Sequence, residues 1–377
     1  MADDPIYLDY NATAPARSDV IGMVMRVMST VGNASSVHRA GQVARKTVET
    51  ARAEVAALVG AKPENIVFTG GGTEANNLAL KGFGDRHLIV SGTEHGAVLA
   101  PAVMQDPEAV ILPVDAEGLV DLAALERALT AAEKPCLVSV MRANNETGVV
   151  QPIAEIARIA RAHDAMVHCD GVQAVGKIPL DMNALDIDLL TLASHKIGGP
   201  QGVGAMVMRQ DFLVAAQIIG GGQEMGRRSG TENVAGIAGF GVAARLAKAG
   251  LADYAGLAAL RDDMERRLRT IAPGLRVYGA GVERLPNTSC LTMPGVSSET
   301  QVMSFDLAGI AVSAGSACSS GKVAASHVLD AMAADRDEAM TAIRVSLGWN
   351  TTPAEIDRFV EVWEELYSRL GDRADAA

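Results

Sequence analysis

The order of apolar segments along the chain restricts its fold more than any other feature. From about residue 43, short and mainly apolar runs alternate with longer stretches in which apolar residues recur every three or four positions. Runs of the first kind are typical of buried strands, and the second spacing is typical of helices with one apolar face. The predicted strands cover residues 66–68, 88–90, 110–112, 137–140, 166–169, 189–192 and 204–207. This alternation predicts an α/β domain in which helices cover both faces of a mostly parallel, seven-stranded sheet.

The helical patterns indicate a second, smaller domain near the carboxyl terminus. The predicted helices lie at residues 44–58, 121–131, 153–163, 259–270 and 353–370. After about residue 250 the strict alternation stops, and segments with many Pro and Gly residues separate the last helices. We therefore predict a large domain over residues 14–252 and a small α+β domain formed by residues 1–13 and 253–377.

Composition excludes several classes of function. The formal net charge of -12 would repel a phosphate backbone, so we expect no binding to nucleic acid. No run approaches the roughly 18 apolar residues of a membrane span, and the first residues have no signal-peptide pattern, so we expect a cytoplasmic protein without a membrane partner. The 4 cysteines contain no Cys-x-x-Cys pair, and we expect neither a disulfide framework nor a metal site.

A glycine run follows the predicted strand at residues 66–68. The segment Thr-Gly-Gly-Gly-Thr-Glu-Ala-Asn-Asn, residues 69–77, resembles the start of a helix, where free backbone N–H groups bind anions and glycine allows a phosphate to approach. It matches neither of the common nucleotide-binding patterns. The run predicts either a site for a single phosphate or a tight turn that packs a helix on a strand.

Two further polar residues follow predicted strands of the same sheet. Asp170 ends one apolar run, and Lys196 comes shortly after the next. Taken alone, Asp170 could cap a helix and Lys196 could be a surface lysine. A phosphate cradle, a carboxylate and an amine at one sheet edge are, however, the groups that hold pyridoxal 5′-phosphate.

Cys318 differs from the other cysteines because only small residues surround it, in Ser-Ala-Gly-Ser-Ala-Cys-Ser-Ser-Gly. Cys136, Cys169 and Cys290 lie in apolar or β-branched runs, where a thiol is usually buried and inert. An incidental loop cysteine is the alternative for Cys318. Next to the chemistry predicted for Lys196, we expect it to be a nucleophile.

The sequence resembles the cysteine desulfurases of the NifS/IscS type, which are class V enzymes of fold-type I that depend on pyridoxal 5′-phosphate. The resemblance runs nearly from end to end. The matching motifs lie at residues 7–13, 32–38, 71–77, 94–95, 144–148, 170–173, 194–196, 228–233, 315–318 and 343–348. It implies the fold of a fold-type I pyridoxal-phosphate-dependent transferase.

The resemblance also implies roles for residues around the cofactor ring. Lys196 would form the covalent imine with pyridoxal 5′-phosphate and move the substrate Cα proton. Asp170 would pair with the pyridine nitrogen and Gln173 with the phenolic oxygen. His95 would stack on the ring, help to move protons and deprotonate the incoming thiol.

Further implied roles concern the phosphate, the substrate and a second subunit. The phosphate would be held by Gly72, Thr73, Ser194, His195 and, from the neighbouring subunit, Thr231. Arg344 would bind the substrate carboxylate, and Asn145 would contact both cofactor and substrate. The contribution of Thr231 implies a homodimer with shared sites.

The implied reaction is the removal of sulfur from L-cysteine, which gives L-alanine and a persulfide on Cys318. The persulfide sulfur would then pass to an acceptor protein, such as an iron–sulfur scaffold, in cluster assembly or thiolation pathways. A selenocysteine lyase and a class V aminotransferase are alternatives within the fold. A non-catalytic protein that binds pyridoxal 5′-phosphate as a scaffold is an alternative of another class.

Overall fold

The computed structural model describes residues 5–314 and 326–371. Its strands are β1 (Ile6–Tyr7), β2 (Ile66–Thr69), β3 (His87–Ser91), β4 (Val110–Leu112), β5 (Cys136–Ser139), β6 (Met166–Asp170), β7 (Leu189–Ala193), β8 (Gly204–Met208), β9 (Thr288–Thr292), β10 (Ile310–Ala311), β11 (Ser313–Ala314) and β12 (Ala342–Ser346). Its α-helices are α1 (Ser18–Met28), α2 (Arg39–Leu58), α3 (Gly72–Lys81), α4 (Gly96–Gln105), α5 (Leu122–Ala131), α6 (Ile153–Ala162), α7 (Val234–Ala249), α8 (Leu251–Ala255), α9 (Leu257–Ile271), α10 (Ser298–Leu307), α11 (His327–Ala331), α12 (Arg336–Ala339) and α13 (Pro353–Leu370). The predicted strands and helices are confirmed.

The large sheet contains the seven predicted strands in the order β2-β8-β7-β6-β5-β3-β4. β8 is antiparallel to both of its neighbours, and the other pairs are parallel. Every residue of β2, β5, β6, β7 and β8 is buried, because helices cover both faces of the sheet. The strands β2, β6 and β7 run in the same direction, so their carboxyl ends meet at one edge.

A second apolar cluster forms around the carboxyl-terminal helices. The antiparallel sheet β11-β12-β9 packs there with α9, α10 and α13. Most of the buried apolar residues of this cluster lie between residues 254 and 366. The amino-terminal strand β1 pairs with β10, which places Leu8 in this cluster, whereas Leu285 belongs to the large cluster. The division at residues 252 and 253 stays a prediction.

No single helix of the described residues is both long and apolar enough to cross a membrane. The segments Val234–Ala249 and Leu251–Ile271 reach that length and composition only together, and they are bent by 64° relative to each other.

Candidate active site

A cavity of about 510 Å³ opens at the edge where β2, β6 and β7 end. It brings together nine of the predicted site residues. They are Gly72, Thr73, His95, Asn145, Asp170, Gln173, His195, Lys196 and Arg344. Asp9, Asn11, Asn76 and Ser313 also line the cavity. No role follows from the sequence for these four residues.

Lys196 lies in a short 3-10 turn, Ser194–Ile197, directly after β7. The turn ends at Gly198, which has a φ of 78°, and a Cβ there would lie 2.7 Å from the Trp349 ring. Nζ of Lys196 donates to the backbone oxygens of Asn11 at 2.6 Å and Ala12 at 2.8 Å. The amino-terminal segment therefore holds the amine at the cavity wall.

Asp170 is the last residue of β6 and is buried. Its Oδ1 accepts from the backbone N–H of Val172 at 2.9 Å, and its Oδ2 accepts from Nδ2 of Asn76 at 2.7 Å. Burial raises the pKa of the Asp170 carboxyl, and both hydrogen bonds and the charges on His95 and Lys196 oppose this shift. No α-helix begins at Asp170, so its role as a helix cap is not supported.

His95 precedes α4 and caps that helix. Its Nδ1 accepts from the backbone N–H of Ala97 at 3.0 Å, so the neutral ring carries its proton on Nε2. Burial lowers the pKa of His95, and the charge on Lys196 lowers it further against the opposing effect of Asp170. The ring thus offers an N–H donor. Uptake of a substrate proton at Nδ1 would require the bond to Ala97 to break.

The start of α3 provides a backbone anion site. The preceding Gly71 has no side chain to cap the helix, and Gly72 and Thr73 open it at the cavity. A Cβ on Gly72 would lie 3.1 Å from Cγ2 of Val172, which leaves little room for a larger residue. His195 stands nearby, and burial together with the charge on Lys196 lowers its pKa to about 4.

Three predicted site residues do not line this cavity. Ser194 is a correction: its side chain is fully buried on the side of Gly199, where a built Cβ would lie 2.0 Å from Oγ, so the hydroxyl does not reach the cavity. Thr231 is exposed and lies outside the cavity of its own subunit. Cys318 lies outside the described residues. Burial of Cys136, Cys169 and Cys290 is confirmed.

Arg344 points from β12 into the cavity and already has an anionic partner. Its guanidinium donates to Oδ1 of Asp9 at 2.7 Å and to the backbone oxygen of Asn145 at 3.1 Å. Asp9 also accepts from the Ser313 hydroxyl at 2.9 Å. The Nε atom of Arg344 is buried and has no hydrogen-bond partner among the described residues. An incoming carboxylate would therefore share Arg344 with Asp9.

Asn11 connects most of these groups. Its backbone oxygen accepts from Nε2 of Gln173 at 2.9 Å as well as from Lys196. Its Oδ1 accepts from the buried Lys177, and its Nδ2 donates to the backbone oxygen of Asn145 at 3.1 Å. Asn11 lies inside the motif at residues 7–13, but nothing local to that motif indicates these contacts.

The donor set of the cavity fits pyridoxal 5′-phosphate. An amine suited to an imine, a buried carboxylate and an uncapped helix start lie around one space of about 510 Å³. Within residues 5–314 and 326–371, no group of His, Cys, Asp or Glu side chains forms a metal site.

Comparison with known proteins gives matches over nearly the whole chain. The model of the class V aminotransferase family matches residues 6–359. Cysteine desulfurase IscS of Dictyoglomus turgidum is 40% identical over 376 residues, which cover 97% of this chain and 95% of that protein.

Solved structures agree with this match. A NifS-like protein from Rickettsia africae has a TM-score of 0.91 and 38% identity, and the match covers 97% of this chain and 99% of that one. A structure of SspA in complex with cysteine has a TM-score of 0.78 and 30% identity, with 91% and 98% covered. The chain therefore belongs to the class V aminotransferase family and, within it, to the group of the NifS-like and IscS cysteine desulfurases.

Proposed function

We propose that this protein is a cysteine desulfurase that depends on pyridoxal 5′-phosphate and converts L-cysteine to L-alanine. The observation that carries the proposal is the single cavity that joins Lys196, Asp170 and Arg344. The names of the relatives support the activity, and the neighbour in complex with cysteine supports the substrate. Members of this family depend on the same cofactor.

The cofactor has candidate ligands on every side of the cavity. Lys196 would hold it covalently, Asp170 would face its pyridine nitrogen, and Gln173 its phenolic oxygen. Gly72, Thr73 and His195 would hold the phosphate, whereas Ser194 would contribute only its backbone. When bound, the cofactor withdraws electron density from the substrate Cα and so weakens the bonds around it.

Lys196 and His95 are the groups that would move protons near the substrate. Nζ of Lys196 would take the Cα proton and later return a proton to the carbon fragment. His95 would face the cofactor as a neutral ring and donate through Nε2, in keeping with its bond from Ala97. For His95 to deprotonate the substrate thiol, its Nδ1 must first release the hydrogen bond from Ala97.

Arg344 and Asn145 would fix the substrate. The guanidinium would bind the carboxylate of L-cysteine, and the bond to Asp9 would hold the guanidinium in the cavity before the substrate arrives. This orientation places the Cα–H bond in a constant position relative to Lys196.

Cys318 would receive the sulfur. Its thiolate would attack Sγ of the substrate, forming an S–S bond while the Cβ–Sγ bond breaks. The electron pair of the broken bond goes to the carbon fragment, which takes up protons and leaves as L-alanine. The described residues that flank this segment support the proposed role: Ser313 lines the cavity, and Nε2 of His327 donates to the backbone oxygen of Glu94, beside His95, at 2.9 Å.

A homodimer would complete the site. Large apolar residues of α1 and the following segment are exposed, among them Met28 at 74% and Val31 at 91%. Val31 lines a groove of about 270 Å³. Residues 232–235, which follow Thr231 at the start of α7, line the same groove. A second copy that covers this face would bring its Thr231 toward the cavity of the first. The sulfur would leave the dimer on an acceptor protein, for which an iron–sulfur scaffold is our candidate.

Turnover of L-cysteine tests the proposed function and separates it from the alternatives. The purified holoenzyme should release alanine from L-cysteine, and Lys196→Ala should abolish release and the visible absorbance of the bound cofactor. A non-catalytic scaffold would yield no alanine. An aminotransferase would yield a keto acid, and its rate would not change in Cys318→Ala. A selenocysteine lyase would act on L-selenocysteine but not on L-cysteine.

A further inference from the structure

Three of the buried polar side chains of the large sheet lie on the neighbouring strands β5, β6 and β7. Ser139 of β5, His168 of β6 and Thr191 of β7 are each 0% exposed. Ser139 is paired with His168 across neighbouring strands, and Thr191 is paired with Asp170. A buried polar group destabilises a core unless it is hydrogen-bonded. The hydrogen-bond partners of these three side chains therefore indicate their role.

Their hydrogen bonds form one continuous chain that ends at Asp170. Oγ of Ser139 lies 2.8 Å from Nδ1 of His168, and Nε2 of His168 lies 3.2 Å from Oγ1 of Thr191. The Thr191 hydroxyl donates to Oδ1 of Asn76. Nδ2 of Asn76 donates to Oδ2 of Asp170 at 2.7 Å.

The chemistry of the groups gives this chain a single direction. A carboxylate only accepts, so the Asn76 amide must turn its NH₂ toward Asp170 and its oxygen toward Thr191. The Thr191 hydroxyl then donates to Asn76 and accepts from His168. His168 must therefore carry its proton on Nε2 and accept from Ser139 at Nδ1.

Protonation of His168 does not disturb this order at ordinary pH. Burial lowers the pKa of His168 to about 3, so the ring stays neutral and keeps one donor and one acceptor nitrogen. Successive donors that point the same way polarise one another and strengthen the last bond of the chain.

We propose that Ser139, His168, Thr191 and Asn76 form a one-directional hydrogen-bond chain that positions the Asp170 carboxylate and stabilises its ionised form. The inference rests on the proposed function, because an ionised Asp170 matters most when it faces the pyridine nitrogen of the cofactor. Ser139, His168 and Thr191 are positioning residues, since they reach the cofactor only through Asn76 and Asp170. Loss of the Thr191 hydroxyl would divide the hydrogen-bond chain between His168 and Asn76.

Cofactor binding to the apoenzyme tests the proposal without cysteine turnover. The probes are pyridoxal 5′-phosphate and its analogue in which carbon replaces the pyridine nitrogen. Thr191→Val is nearly isosteric, and we expect it to weaken binding of pyridoxal 5′-phosphate by about tenfold, the scale seen when outer partners of a ligand are removed. Binding of the carbon analogue should change by less than about twofold, because Asp170 has no nitrogen to face there.

Control variants separate positioning from a general structural effect. Thr191→Ser keeps the hydroxyl and should retain the affinity of the unmodified protein, and Ser139→Ala, at the far end, should lose affinity for pyridoxal 5′-phosphate alone. Equal losses for both probes, or no loss for either, would overturn the proposal. If Thr191→Val loses affinity for pyridoxal 5′-phosphate alone but the unmodified protein does not desulfurate cysteine, the proposed function fails and this inference stands.

The tautomer of His168 provides a second test, in which a variant serves only to assign the NMR signals. Nitrogen-15 NMR of histidine-labelled apoprotein, assigned by the signals that disappear in His168→Gln, should show a protonated Nε2 and an unprotonated Nδ1. A proton on Nδ1 would reverse the bond to Ser139 and contradict the proposed direction.

Discussion

Lys177 has an unusual environment for a lysine. Its side chain is 2% exposed, and Nζ donates to Oδ1 of Asn11 at 2.5 Å and to Oε1 of Gln173 at 2.8 Å. Both acceptors are neutral amides, so these contacts supply hydrogen bonds but no opposite charge. Burial lowers the pKa of Lys177 well below its ordinary 10.5, and the charges on Lys196 and Arg344 lower it further.

This shift predicts a pH dependence of stability that Lys177→Met removes. Below pH 10.5 the unfolded chain takes up the lysine proton before the folded protein does, so stability falls as the pH decreases toward the native pKa. The contribution is at most about 1.4 kcal/mol per pH unit for one proton. In urea unfolding between pH 8 and 10, the free energy of unfolding should rise less steeply with pH for Lys177→Met than for the unmodified protein. Lys62→Met, at an exposed position, should keep the original slope; equal slopes for the two variants would contradict the prediction.

The sequence predicts some of the site residues but not the contacts that hold them. Asp170 and Lys196 could be predicted because each follows an apolar strand, and strand ends meet at one edge of a parallel sheet. Asn11 and Asp9 could not, because their partners lie far along the chain and only the folded structure brings them near. The orientation of Ser194 was missed because it depends on packing against Gly199.

Among the elements, α3 joins the sheet to the predicted phosphate site. Its first residue, Gly72, fits closely against Val172, at 3.1 Å from a built Cβ, and against Ala193 at 3.5 Å. The positions and lengths of the strands around α3 follow from the apolar periodicity of the sequence. The predicted elements therefore agree with the structure to within a few residues. The antiparallel direction of β8 could not be predicted, because a run of apolar residues does not indicate direction.

The close fit of α3 predicts that Gly72→Ala impairs cofactor binding more than folding. Alanine favours the helix, but its methyl group would narrow the anion site, so affinity for pyridoxal 5′-phosphate should fall by about tenfold while the melting temperature changes by only a few degrees. Titration of the apoprotein with the cofactor measures the first effect and calorimetry the second. Gly274→Ala, where the nearest side-chain atom would be 3.7 Å away, is the matched control. Unchanged cofactor affinity in Gly72→Ala would argue against the phosphate site.

At the scale of the whole molecule, a single subunit leaves the apolar face around Val31 exposed to water. The sequence motifs imply a dimer, and the domain division at residues 252 and 253 is a further prediction from the sequence. The face is adjacent to the groove near Thr231, so assembly and cofactor binding should be linked.

Val31→Asp should therefore dissociate the proposed dimer. A charge in the covered face would be desolvated without a partner, and the dimer should weaken by at least about tenfold. Light scattering during gel filtration measures the mass, and the same samples should bind pyridoxal 5′-phosphate less tightly because Thr231 of a second copy is absent. Leu307→Asp, at a residue 88% exposed on α10, should remain dimeric. A monomeric unmodified protein with full cofactor affinity would contradict the shared site.

The central claim is that this cavity transfers sulfur from L-cysteine to Cys318. The most direct measurement is a single turnover with L-cysteine, followed by mass spectrometry of the Cys318 peptide and quantification of alanine. We predict one alanine for each Cys318 that gains the mass of one sulfur atom, and removal of that sulfur by cyanide. Cys136→Ser, at a buried thiol, should behave like the unmodified protein, whereas Cys318→Ser should form no persulfide. Sulfur release by Cys318→Ser at the original rate would contradict the account.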